Sequence, residues 1–103
     1  MKHYQRIKND GDPPDESYCR RVLNSEGYST FRWSDEPGAF YSDHHHSSDQ
    51  SHWILSGKLE LTVEGYGTFV LEAGDRDIIP AGTKHRARVP GNEPVVYLIG
   101  EKR

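Results

Sequence analysis

From Lys58 to Glu64 the chain reads KLELTVE, with an apolar residue at every second position. Leu59, Leu61 and Val63 share one face, and Lys58, Glu60, Thr62 and Glu64 share the other. Successive side chains alternate across a strand, so this pattern predicts a strand buried on one side. Ser56-Gly57 makes a turn before it. Gly65-Tyr66-Gly67 makes a hairpin turn after it, into the return strand TFVLE.

Other segments repeat the form. YSTFRW (28–33), AFYSDHHH (39–46) and HWIL (52–55) read as short strands. SYCRRVL (17–23), with its β-branched and aromatic residues, is read as one more, and no segment shows a clear 3.6-residue period. VVYLIG (95–100) is apolar throughout, as in a strand buried on both faces. SDEPG (34–38), Pro80-Ala81-Gly82 and VPGNEP (89–94) separate the strands as turns and loops. Short strands at regular spacing predict an all-β sandwich or barrel. Residues 1–16 are polar, contain GDPPD and form an N-terminal arm; residues 17–103 form one barrel domain.

A chain of 103 residues with 33% hydrophobic content has a thin core. Trp53 should point outward, opposite His52 and Ile54, onto a partner surface or beneath the N-terminal strands. The polar arm could add a strand to a neighbour's sheet edge. A homodimer is therefore expected. The formal net charge is −3 with no long basic stretch, which argues against nucleic acid as a partner. No stretch is long enough to span a membrane, and MKHYQRIKND is not a secretory leader. Cys19 is the single cysteine, so no internal disulfide forms, and a cytoplasmic location is expected.

Chemistry concentrates in two stretches. Gly38, His44, His46, Gln50 and Gly57 follow G-x5-H-x-H-x3-Q-x6-G. Gly74, Pro80, Gly82 and His85 follow G-x5-P-x-G-x2-H. Three imidazoles and an amide oxygen suit one divalent transition metal: zinc or iron first, with nickel, copper and manganese also compatible. Strand parity makes His44 and His46 converge and turns His45 away. Asp49 could replace Gln50 if the loop shifts by one residue, though parity favours Gln50. Phe40 and Ser42 share the face of His44, and Ala87 and Val89 that of His85. Ile54, Leu59, Leu61 and Val63 read as barrel filling.

His52 follows Gln50 by two residues and should also face the interior, as a general base or as a packed histidine held by the wall. Arg86 and Arg88 point outward by parity. Arg32, if inward, could grip a carboxylate in a forked contact.

The two stretches resemble the paired motifs of the cupin family, over roughly residues 38–101. The family pattern has Glu where this chain has Gln50 and Asn where it has Val89. The resemblance implies a small jelly-roll β-barrel. A neutral amide leaves the metal its full charge and makes it a stronger Lewis acid. Some cupins acting on sugar acids are similar in using three His and one Gln. The resemblance thus implies a metal-dependent enzyme of isomerase or lyase type acting on a small polar molecule such as a sugar acid. A mononuclear iron dioxygenase, or a non-catalytic module that binds or senses a small ligand, stands as an alternative.

Overall fold

The computed structural model describes residues 2–103. Nine strands and one helix follow in chain order: β1 (Gln5–Ile7), α1 (Glu16–Ser25), β2 (Tyr28–Asp35), β3 (Phe40–His44), β4 (Gln50–Ser56), β5 (Lys58–Val63), β6 (Gly67–Glu72), β7 (Arg76–Ile78), β8 (His85–Arg88) and β9 (Val95–Lys102). The strands pair antiparallel in two sheets, ordered β1-β7-β4-β9-β2 and β3-β8-β5-β6. The predicted hairpin is present: Lys58 pairs with Glu72 and Val63 with Gly67 across β5 and β6.

The apolar face of that hairpin packs against the other sheet. Ile54, Leu59, Leu61, Val63, Leu71, Ile79, Val95 and Tyr97 form one cluster between the layers. Fully burying one such aliphatic side chain is worth about 1.5–3 kcal/mol relative to leaving it exposed. Gly57 closes the turn into β5 at φ +77°, where a Cβ would run into the Pro94 carbonyl oxygen.

Residues 17–23, expected as a strand, lie in helix α1. Asp15 caps it, its carboxylate accepting the Tyr18 N–H at 2.8 Å. Cys19 and Leu23, four residues apart, fall on one helical face with Val22 beside them. That face packs on the outside of the five-stranded sheet against Tyr28, Trp53 and Leu98. The helical period was therefore in the sequence, but over only ten residues and among β-formers. The helix also explains why β9 is apolar on both sides. Val95 and Tyr97 face the interior cluster, and Leu98 faces the helix.

Trp53 does not point into solvent. It is buried beneath α1, with the Tyr18 ring 6.4 Å away edge-on and the Arg76 guanidinium 4.7 Å over its face. Its Nε1–H donates to the Gly74 carbonyl at 3.1 Å. The N-terminal arm is likewise used within the chain. Strand β1 pairs with β7, Gln5 opposite Ile78 and Ile7 opposite Arg76. Tyr4 is buried in the main cluster. Two of the three features that argued for a homodimer, Trp53 and the arm, are thus satisfied within one chain. No helix among the described residues is long and apolar enough to cross a membrane.

Candidate metal centre and cavity

The site sits where three strands begin or end. His44 is the last residue of β3 and lies opposite His85, the first of β8. Gln50 is the first residue of β4. His46 lies just beyond β3, so its position comes from the turn and not from strand parity; Gly82 N–H donates to its carbonyl at 2.9 Å. The ring centroids of His44, His46 and His85 stand 4.3–5.4 Å apart. A ligand nitrogen from each lies within 4.8 Å of the other two. Gln50 is buried and lines the same cavity. His45 is exposed and lies outside the cluster.

Hydrogen bonds fix which nitrogens converge. Nδ1 of His85 bonds the Thr83 carbonyl at 2.9 Å, and Nδ1 of His44 bonds the Ser42 carbonyl at 2.7 Å. A carbonyl only accepts, so each Nδ1 carries the proton and each Nε2 keeps a lone pair. Nε2 of His85 is buried and has no hydrogen-bond partner among the described residues. Burial and the neighbouring imidazoles push the His85 pKa down to about 4, outweighing the opposing Thr83 carbonyl. Burial, then His44, also lowers His46. Converging imidazoles, two of them tied through Nδ1 to carbonyls, are the donor set that a divalent transition metal requires. The residues present therefore fit such an ion.

His52 lies two residues into β4 and faces the cavity, 6.4 Å from the His85 ring centroid. Its Nδ1 bonds Asp77 Oδ1 at 3.0 Å. Asp77 is fully buried and also accepts the His52 backbone N–H at 2.9 Å and the Tyr4 hydroxyl at 3.1 Å. The carboxylate behind His52 was not singled out from the sequence. Its only signal is the Asp75-Arg76-Asp77 run, where three ionisable residues occupy positions that turn out to be buried.

Two conditional sequence readings are not realised here. Asp49 does not enter the cavity: its carboxylate accepts the Ala81 N–H at 2.8 Å and pairs with Lys2 at 2.6 Å. Arg32 turns to the helix side of β2, where Nη1 donates to Glu16 at 3.0 Å. The neighbouring Trp33 takes the cavity face instead. Phe40 and Ser42 line the cavity as expected, and Arg88 points out to pair with Glu60 at 2.6 Å. The cavity has a volume of about 560 Å³. Its outer, aromatic half carries the exposed rings of Trp33, Phe40 and Tyr41, with buried Tyr97 joined to Trp33 and Tyr41 through Asp35. Among the described residues no lysine or arginine lines it.

Residues 31–100 match the family model described as a cupin domain. The chain belongs to the cupin family. The barrel is accordingly a jelly roll, and the histidine cluster lies at the ends of its strands. A mannose-1-phosphate guanylyltransferase of Klebsiella pneumoniae is 31% identical over 81 residues, 78% of this chain but 17% of that protein. The chain therefore spans less than a fifth of that relative's length. A DMSP lyase from Ruegeria pomeroyi superposes with a TM-score of 0.68 at 25% identity, over 75% of this chain and 39% of that one. A mutant of Bacillus subtilis oxalate decarboxylase superposes with a TM-score of 0.64 at 30% identity, over 74% and 22% of the two chains.

Proposed function

We propose that the cavity is a metal-dependent active site acting on a small polar molecule. His44, His46, Gln50 and His85 would hold the metal, and His52 would serve as general base. The observation that carries this reading is Nε2 of His85, a buried lone pair without a partner, facing two further imidazoles. A buried polar atom left unpaired is unfavourable, and a metal ion would satisfy it. A divalent transition metal, zinc or iron first, would there supply Lewis-acid polarisation of a substrate oxygen.

The protein's own groups do the rest. Gln50 offers a neutral oxygen, so no ligand offsets the charge of the ion. Asp77 holds the Nδ1 proton of His52 and leaves Nε2 to accept a proton from the substrate. The aromatic half offers the bound molecule an apolar surface. This division of labour suits isomerisation, ring opening or elimination. The likeness to a lyase and a decarboxylase supports that class over simple ligand binding.

The test is elemental analysis of protein purified without added metal. One divalent transition metal per chain is expected, lost in His85→Ala and retained in Gln50→Glu, whose carboxylate is the stronger donor. Wild-type protein without bound metal, and unable to take up zinc or iron, sinks the reading. Turnover with and without oxygen then separates this chemistry from an iron dioxygenase.

A further inference from the structure

The cavity has two unlike ends. At one end the proposed ligands are all neutral. At the other the lining rings are backed by Asp35, the last residue of β2, which does not itself line the cavity. Its Oδ1 accepts the Tyr41 hydroxyl at 2.7 Å and the Trp33 Nε1–H at 3.2 Å, and its Oδ2 accepts the Tyr97 hydroxyl at 3.0 Å. No lysine or arginine among the described residues forms an ion pair with it. The charge is held by three neutral donors, each belonging to a ring that lines the cavity. A phenol donating to a carboxylate gains electron density in its ring, and hydrogen bonding and burial hold Tyr41 and Tyr97 in the protonated form that donates. Phe40, 59% exposed, adds a fourth ring at the mouth. Electron-rich rings around an uncompensated carboxylate attract cations, most strongly a poorly hydrated onium group.

We propose that this outer half is a subsite for a quaternary or tertiary onium group, so that the substrate is a small zwitterion. Its anionic end would lie toward the histidines and its cationic end between Trp33, Tyr41 and Tyr97. The anionic half of this assignment rests on the metal reading above, whereas the onium subsite does not. Tyr97 sets the span, because its ring stands 5.9 Å from that of His52 while its hydroxyl holds Asp35. A sugar acid, anionic and without a cation, leaves Asp35 unanswered.

Calorimetric titration of the full chain, metal-loaded and metal-stripped, tests this with three probes. They are glycine betaine, 3,3-dimethylbutanoate (the same shape with carbon in place of the charged nitrogen) and tetramethylammonium. Betaine should bind about tenfold tighter than dimethylbutanoate, although the latter carries the greater negative charge. Asp35→Asn, which keeps the volume, should remove most of that preference and leave dimethylbutanoate unchanged. Trp33→Leu should weaken tetramethylammonium. Stripped protein should still bind tetramethylammonium. Equal affinity for the two isosteres, an Asp35→Asn protein that still prefers betaine, or no binding of tetramethylammonium in either form overturns the subsite. If the onium preference persists but metal gives betaine no advantage over tetramethylammonium, the subsite stands and the metal reading falls.

Discussion

At the scale of single residues, the histidines were legible and their supports were not. His44, His46 and His85 could be picked out because few structural roles place imidazoles at that spacing. Asp77 could not, because nothing in the letters around it says that a carboxylate is buried. Yet it accepts three hydrogen bonds, two of them from His52. Asp77→Asn keeps the shape but brings an amide N–H toward donors that need an acceptor. It should lower stability by about 2 kcal/mol in denaturant melts. His52→Asn spares the Tyr4 contact and should be milder in stability, while lowering kcat more than KM once a substrate is known. A kcat unchanged in His52→Asn would remove it as the base and leave it a packing residue.

At the scale of elements, alternation along β5 predicted a strand and its buried face, because a period of two cannot be satisfied by a helix. Helix α1 was missed because its composition favours strand and its apolar face holds few residues. Its real markers were the Asp15 cap and the Cys19–Leu23 spacing. Leu23 is wholly buried against Tyr28 and Gly100, so Leu23→Ala should cost about 2–4 kcal/mol by thermal or urea unfolding. Asp15→Ala, which removes only the cap, should cost about 1 kcal/mol.

The arm has its own anchor at Asp75. Burial alone would raise this carboxyl; Lys8 at 2.8 Å and the backbone N–H groups of Glu72 and Asn9 outweigh it and hold the pKa below normal. A carboxyl depressed in the folded state stabilises fully above its unfolded value near 3.9. That contribution disappears as pH falls through the folded value. Asp75→Asn should therefore flatten the acid limb of a stability–pH curve below about pH 4 and lie beneath wild type at neutral pH. Parallel curves for the two proteins would contradict this.

For the whole molecule, the aliphatic cluster between the sheets includes none of the three histidines, which sit at strand ends. Removing a bound metal should therefore leave the circular dichroism spectrum native, while lowering Tm by the linkage of one bound ion. Unfolding on chelation would instead make the ion structural. The inner half of the cavity was readable because two local motifs supply it. The outer half was not, since Trp33, Tyr41 and Tyr97 come from three strands, β2, β3 and β9. Only the pairing of β2 with β9, which sets Trp33 opposite Tyr97, brings two of them together.

The pairing of β1 with β7 carries a practical consequence. The Tyr4 hydroxyl reaches Asp77, and Asp77 orients His52, so a chemical thread runs from the fourth residue to the cavity. A fusion tag, a protease nick or a trimmed start site near Tyr4 would thus alter His52 without touching any residue that lines the cavity. Preparations that differ only in their first few residues are, for this barrel, different proteins at the site.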